Sequence, residues 1–176
     1  MTVADARAVV RSVPAFVAVV GVLVNPSPAL IADVLALGCV PQFHGDESPE
    51  FCAANAHGRY VKALHFEHGT RYTAATAEAM AGRYPDADLM FDSRAGALYG
   101  GTGTPFDWPL VEGIARHRRV IVSGGLQPGN VAAAVASVRP FGVDVRSGVE
   151  RDGVKDRELM RAFVRAVREG TSLAKA

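Results

Sequence analysis

Two apolar segments of the chain end in residues that could perform chemistry. Residues 89–91 lead directly into Asp92, and residues 120–122 lead into Ser123-Gly124-Gly125. A carboxyl group can give or take a proton, and consecutive glycines leave backbone N–H groups free to face a phosphate. Because the carboxyl ends of parallel strands lie along one edge of a sheet, we expect the acid and the anion site to share that edge.

Polar residues follow nearly every other predicted strand as well. Asn25 ends the first strand, His44 follows the second, Lys62 lies in the third, and the segment 144–150 follows the last. This arrangement is typical of a barrel whose active site is built at the carboxyl ends of its strands.

A glycine-rich segment lies between Asp92 and the next predicted strand. Its Gly100, Gly101 and Gly103 form either a loop that closes over substrate or a flexible connection. The sequence leaves both interpretations open.

Apolar segments of strand length recur at the spacing of βα units. Helix patterns lie between them, with start signals at Ser27-Pro28, Ser48-Pro49 and Pro128. A closed (β/α)8 barrel needs eight strands, so periodicity alone leaves a partial barrel and an open doubly wound sheet both open. The predicted strands are 16–24, 39–43, 60–64, 89–91, 120–122 and 141–145, and the predicted terminal helices are 5–11 and 156–168.

The composition predicts one domain with a small-molecule partner. With 176 residues, 49% of them hydrophobic, the chain can bury a core of single-domain size. A net charge of +1 gives no electrostatic reason to expect nucleic acid or a membrane as partner. The apolar segment 14–24 is too short to span a bilayer and lacks a cleavage site, so we expect a cytoplasmic protein. Cys39 and Cys52 have no partner at ligand spacing, which argues against a zinc site or a disulfide.

The ordered set of motifs resembles the phosphoribosylanthranilate isomerases, and the resemblance covers essentially the whole chain. It implies the TIM-barrel (β/α)8 family of α/β folds, with six βα units present as a single partial domain over residues 1–176. It also implies an Amadori rearrangement of phosphoribosylanthranilate in tryptophan biosynthesis, which needs no metal or cofactor. The motifs are VGVLVN at 20–25, QFHGDE at 42–47, GGTG and FDW within 100–108, SGGLQPGNV at 123–131, and VDVRSGVE with GVKD within 143–156.

The resemblance implies a role for each strand-end residue. Asp92 matches the family's general acid, the alternative being a carboxylate that braces the following loop. His44 and Asp144 match positions near the family's active site, although a single strand-end histidine is often only a structural hydrogen-bonding residue. The residues that match the phosphate site are Gly124, Gly125, Ser147 and Gly148, glycines that could also serve only to permit tight turns.

Arg146 departs from the family, which usually has Ser there. By strand alternation Arg146 should share the inward face with Asp144. We therefore expect Arg146 to approach either the substrate phosphate or its carboxylate.

The family's general-base Cys, and the Arg that holds the anthranilate carboxylate, have no counterpart in this sequence. By the resemblance, Met1 aligns just after the family's second strand, so the first two strands are missing. Cys39 and Cys52 cannot replace the base, because Cys39 begins a strand and Cys52 lies in a predicted helix. We therefore expect weak or no turnover from the chain as given.

Three hypotheses about function follow. The first is a phosphoribosylanthranilate isomerase whose true start lies upstream of Met1, and the second is a catalytically inactive remnant or phosphate-binding protein without the base. The third is another phosphosugar barrel enzyme, which the segment 100–108 disfavours. Open sheet edges would also favour homo-oligomer formation or strand exchange with a neighbouring chain.

Overall fold

The computed structural model describes residues 1–67, 69–94 and 105–174. The chain forms two compact units. The first unit consists of Met1–Ala63 and Tyr84–Asp88, and the second consists of Leu64–Arg83 and Leu89–Ala176. The strands are β1 (Val20–Leu23), β2 (Val40–Phe43), β3 (Val61–Glu67), β4 (Asp88–Arg94), β5 (Val120–Val122), β6 (Gly142–Val143), β7 (Glu150–Arg151) and β8 (Val154–Lys155). The helices are α1 (Val3–Ser12), α2 (Pro28–Ala36), α3 (Pro49–Ala56), α4 (Ala74–Gly82), α5 (Glu112–Ala115), α6 (Val131–Val138) and α7 (Arg157–Leu173), with 3₁₀ turns at Trp108–Val111 and Ser147–Val149.

The first unit contains β1, β2 and the start of β3, paired in parallel. Residues 20–23 pair with residues 40–43, and residues 42–43 pair with residues 61–62. The backbone pairing continues past β2, because the His44 N–H donates to the carbonyl oxygen of Leu23 at 2.7 Å. The residues that follow β2 are therefore fixed against the end of β1.

Helices α2 and α3 begin where the sequence predicts. The hydroxyl groups of Ser27 and Ser48 accept hydrogen bonds from backbone N–H groups in the first turn of each helix. A proline occupies the next position in both, where its fixed φ suits the helix and no N–H is missed. Ile31 of α2 and Cys52 of α3 are almost fully buried, as is Phe43 of β2.

The second unit contains the end of β3, most of β4, and β5 and β6, which are neighbours in that order. Pairing of β4 with β5 and of β5 with β6 is parallel. The Ser123 N–H donates to the Phe91 carbonyl at 2.8 Å, and the Asp144 N–H donates to the Val122 carbonyl at 2.9 Å. These bonds align the ends of three strands, so Asp92, Ser123 and Asp144 lie along one edge.

Some elements differ from the prediction. Strand β1 begins at Val20 and leaves Phe16 exposed, and α6 begins at Val131, with Asn130 rather than Pro128 directly before it. Helix α4 is not predicted by apolar spacing, because its alanines form no stripe of large side chains. Among the described residues, no helix is long and apolar enough to cross a membrane.

The last strand is shorter than predicted. Strand β6 ends at Val143, so Asp144 and Arg146 lie beyond it. Arg146 has φ −114° and ψ −81°, outside the extended region. Strand alternation therefore does not set the direction of the Arg146 side chain, contrary to the expectation. Gly100, Gly101 and Gly103 lie outside the described residues.

Candidate active site

Asp92 and Gly124 form the centre of the candidate site in the second unit. Asp92, in β4, is only 3% exposed. A Cβ built on Gly124 would come within 2.6 Å of Asp92 Oδ1 and 2.5 Å of the Ser93 nitrogen. Gly124 also has φ +79°, a conformation that glycine adopts without steric cost. Only glycine therefore allows the chain after β5 to pass this close to the carboxyl group.

A single side chain braces the loop that follows β5. Asn130 Nδ2 donates to the carbonyl oxygen of Gly125 at 2.9 Å, and Asn130 Oδ1 accepts from the Gln127 N–H at 2.8 Å. Gly125 has φ +64°, so this loop contains two consecutive left-handed glycines. Asn130 occupies the N-cap position of α6, but its side chain bonds this loop and makes no capping hydrogen bond. An Asn just before an apolar helix pattern is the sequence signal for the N-cap position.

The turn Ser147–Val149 packs on this same loop. A Cβ on Gly148 would lie against the carbonyl oxygen of Leu126 and 3.1 Å from the Cα of Gln127. The structure thereby brings Ser147 and Gly148 to the loop that contains Gly124 and Gly125. The residues predicted for phosphate binding thus come from two loops in contact with each other.

Asp144 is tied to the candidate site by Ser123. The Ser123 hydroxyl donates to Asp144 Oδ2 at 3.0 Å. Ser123 is 6% exposed, whereas Asp144 lies on the surface. Arg146 is also exposed, and its backbone carbonyl accepts a hydrogen bond from Lys155 Nζ at 2.6 Å. Exposed polar residues therefore follow β6, and one of them is bonded to the end of β5.

His44 lies in the first unit, directly after β2. Its Nδ1 is 3.0 Å from Nε2 of Gln42. Beside it, Lys62 Nζ and Glu47 Oε2 form an ion pair at 2.9 Å whose two side chains are each 2% exposed. Neither Glu47 nor Lys62 is predicted from the sequence to have a role. The signal for a buried partner is the charged Lys62 inside the largely apolar strand β3.

Both cysteines of the sequence lie in buried positions. Cys39 and Cys52 are both free and buried. Burial raises the pKa of the Cys52 thiol to about 11, against a smaller opposing effect of the nearby Lys62 ammonium. This agrees with the expectation that these cysteines do not replace the family's base.

Comparison with known proteins decides the family. The sequence profile described as N-(5'phosphoribosyl)anthranilate (PRA) isomerase matches residues 1–166. The chain belongs to this family. The N-(5'-phosphoribosyl)anthranilate isomerase of Desulforudis audaxviator is 42% identical over 167 residues, which is 93% of this chain and 79% of the relative.

Solved structures of PRA isomerases share the fold. The phosphoribosyl anthranilate isomerase of Thermotoga maritima superimposes with a TM-score of 0.81 at 34% identity, covering 96% of this chain and 81% of that protein. A phosphoribosyl anthranilate isomerase in complex with reduced 1-(o-carboxyphenylamino)-1-deoxyribulose 5-phosphate has a TM-score of 0.78 at 33% identity, covering 96% of this chain and 80% of that protein. The resemblance read from the motifs is therefore confirmed.

Proposed function

We propose that this member of the PRA isomerase family acts on phosphoribosylanthranilate in its Amadori rearrangement, a step of tryptophan biosynthesis. The observation that carries the proposal is the buried Asp92, which lies against the glycine loop at the ends of neighbouring strands. The product would be 1-(2-carboxyphenylamino)-1-deoxyribulose 5-phosphate. The relative that binds a reduced form of this compound supports the assignment.

Asp92 is the proposed general acid. It gives its proton to the ring oxygen of the ribosylamine while the C1′–O bond breaks and the nitrogen lone pair forms a C=N bond. A base must then take the proton from C2′ to give the enolamine, which gains a proton at C1′ and loses its hydroxyl proton to become the ketone. Cys39 and Cys52 are buried and do not accept that proton, so this second step is the one we expect to limit the chain.

The phosphate is proposed to bind where the two loops of the second unit meet. We assign the backbone N–H groups of Gly124, Gly125, Ser147 and Gly148 to the phosphate, because glycines allow the phosphate oxygens to approach the backbone closely. Asp144 and Arg146 stand at the exposed border of the same unit. We assign Asp144 to the sugar hydroxyls and Arg146 to an anionic group of the substrate, because a guanidinium binds phosphate and carboxylate through paired hydrogen bonds.

The test uses turnover and binding as separate measurements. Freshly made phosphoribosylanthranilate is followed by loss of anthranilate fluorescence, with the Thermotoga maritima relative as reference. We expect turnover to be lower than that of the reference by a factor of about 100 or more, as for a missing base, and Asp92→Asn to abolish what remains. The exposed carboxylate variant Asp86→Asn is the matched control and should retain wild-type turnover.

Binding of reduced 1-(o-carboxyphenylamino)-1-deoxyribulose 5-phosphate, measured by calorimetry, separates the two remaining hypotheses. Binding together with Asp92-dependent turnover supports the isomerase. Binding without turnover identifies a phosphate-binding remnant. A folded chain that does neither contradicts the proposal.

The edge strand β1 supports a further proposal about assembly. Val20, Val22 and Val24 are exposed at alternating positions, and residues 12–32 contain no charged side chain. Edge strands of this kind lack the charges that normally prevent strand pairing. We propose that the chain is a TIM barrel without counterparts of the first two strands, and that β1 exchanges strands with a second copy.

The substitution Val22→Lys should then lower the fraction of dimer in sedimentation experiments, whereas the exposed-valine control Val154→Lys should not. A chain that is monomeric at all concentrations contradicts the proposed strand exchange.

A further inference from the structure

The buried ion pair of Lys62 and Glu47 is more than a local contact. Lys62 Nζ lies 2.9 Å from Glu47 Oε2, and the Tyr84 hydroxyl donates to the Glu47 carbonyl oxygen at 2.8 Å. Lys62 Nζ also lies 5.6 Å from the centre of the Tyr84 ring. Buried charges are kept only where they are paired and hydrogen-bonded, so the other bonds of this pair indicate what it holds in place.

Lys62 binds the backbone on both sides of His44. Its ammonium group donates to the carbonyl oxygen of Gly45 at 2.6 Å and to that of Phe43 at 3.4 Å. These are the residues directly before and after His44. The peptide unit that precedes His44 and the one that follows Gly45 are therefore tied to one buried cation.

Glu47 binds one N–H group beside His44 and one that follows β1. Its Oε1 accepts from the Asn25 N–H at 2.8 Å, and its Oε2 accepts from the Gly45 N–H at 3.0 Å. The Asn25 side chain in turn accepts from the Asp46 N–H at 2.9 Å. A Cβ on Gly45 would come within 2.5 Å of Asn25 Oδ1, so this turn closes tightly on Asn25, two residues after β1.

Gln42 determines which ring nitrogen of His44 carries the proton. The amide nitrogen of Gln42 can only donate, so the His44 Nδ1 that lies 3.0 Å away accepts. The ring proton of the neutral histidine is then on Nε2. The Lys62–Glu47 pair fixes the backbone and Gln42 fixes the tautomer, which together give His44 a defined N–H donor.

We propose that Lys62 and Glu47 are positioning residues that act through His44: they hold its Nε2–H as a hydrogen-bond donor to the substrate. The substrate part of this inference rests on the proposed function, whereas the effect on the His44 ring does not. A merely structural ion pair would stabilise the fold without setting the tautomer of a neighbouring histidine.

The first measurement reads the tautomer directly. Long-range ¹H–¹⁵N spectra of the histidine rings are recorded at a pH where imidazoles are neutral, and the His44 signals are those that disappear in His44→Gln. The wild type should show a protonated Nε2 and an unprotonated Nδ1. In Lys62→Met/Glu47→Leu, which removes both charges together, the signals should move to the averaged positions of a mixed tautomer.

Control variants keep the result interpretable. Arg59→Met/Asp88→Asn removes an exposed ion pair of the same length, 2.9 Å, from the same unit, and should leave the His44 signals unchanged. If the double variant does not fold, Glu47→Gln serves instead. The amide retains one acceptor oxygen, so at least one of the N–H groups of Asn25 and Gly45 loses its partner. An unchanged tautomer in a folded variant overturns the proposal.

A second measurement tests whether the effect reaches the ligand. Affinity for reduced 1-(o-carboxyphenylamino)-1-deoxyribulose 5-phosphate is compared among His44→Ala, Lys62→Met/Glu47→Leu and the combined triple variant. We expect His44→Ala and Lys62→Met/Glu47→Leu to weaken ligand binding by the same factor. The triple variant should show no additional loss of affinity. Factors that multiply would overturn action through His44. A shifted tautomer without ligand binding in any variant would contradict the proposed function and leave the positioning of the ring established.

Discussion

The chain builds two strand ends by opposite means. After β2, in the first unit, a buried lysine and glutamate bond the backbone on both sides of His44. After β5, in the second unit, glycines bring the backbone directly against Asp92, and the surrounding polar residues Asp144 and Arg146 are exposed. Side chains satisfy the peptide groups around His44, whereas the second strand end leaves a border of groups open to solvent. The first arrangement fixes one residue, and the second is the place proposed for the ligand.

The largest effect expected from breaking this contrast follows Lys62→Met. The substitution leaves the Glu47 carboxylate buried without its cation, and we expect a loss of about 3–5 kcal/mol in the free energy of unfolding. Urea denaturation monitored by circular dichroism measures it. Lys155→Met breaks an exposed pair with Glu150 and should cost less than about 1 kcal/mol.

The double variant makes the first prediction sharper. Replacing both partners, as in Lys62→Met/Glu47→Leu, removes the unpaired charge and should recover most of the lost stability. If the double variant is no more stable than Lys62→Met, the destabilisation comes from lost packing or lost backbone bonds rather than from the buried carboxylate.

Gly124→Ala tests the other strand end. The new Cβ must occupy a left-handed conformation and would lie between Asp92 and Ser93, so we expect a loss of about 1–3 kcal/mol in unfolding free energy. Affinity for the reduced product should fall as well, because the loop must move away from the carboxyl group. Gly129→Ala, where a Cβ would meet nothing within 4 Å, is the control and should change neither quantity much.

Arg146→Ser separates binding from stability. Arg146 is exposed, so the free energy of unfolding should not change measurably. If the guanidinium binds an anionic group of the ligand, affinity should fall about tenfold, the value of one charge-assisted hydrogen bond. Isothermal calorimetry at fixed ionic strength measures this, with the exposed Arg165→Ser as a charge-matched control. Equal affinities of the two variants would remove Arg146 from the site.

Local signals in the sequence are sufficient for much of the fold. Ser27 and Ser48, each followed by proline, predict the starts of α2 and α3 because capping depends on three or four consecutive residues. The segment 120–122 is predicted to the residue as β5, because a short apolar run bounded by polar residues is also a local signal. The ordered motifs also place Asp92 and Gly124 at neighbouring strand ends before any coordinates are known.

Contacts between distant residues are not predictable in this way. Lys62 and Glu47 are fifteen positions apart, and neither residue indicates its partner until β2 and β3 are paired in register. The direction of Arg146 cannot be predicted for a different reason. Strand alternation predicts it only if the strand reaches residue 146, but β6 ends three residues earlier, and strand ends are the least regular part of a periodic pattern.

The smallest expected effect compares one neutral hydrogen bond from each region. Tyr84→Phe removes the hydroxyl that donates to the Glu47 carbonyl, a buried acceptor that water cannot easily reach, whereas Ser123→Ala removes a hydroxyl that donates to the exposed Asp144. Because Asp144 can exchange the lost bond for water, Tyr84→Phe should cost about 1 kcal/mol more in unfolding free energy than Ser123→Ala. Denaturation of the two variants side by side measures the difference. Equal costs would mean that the β2 end is as accessible to water as the β5 end, and the contrast between a fixed strand end and an open one would no longer hold.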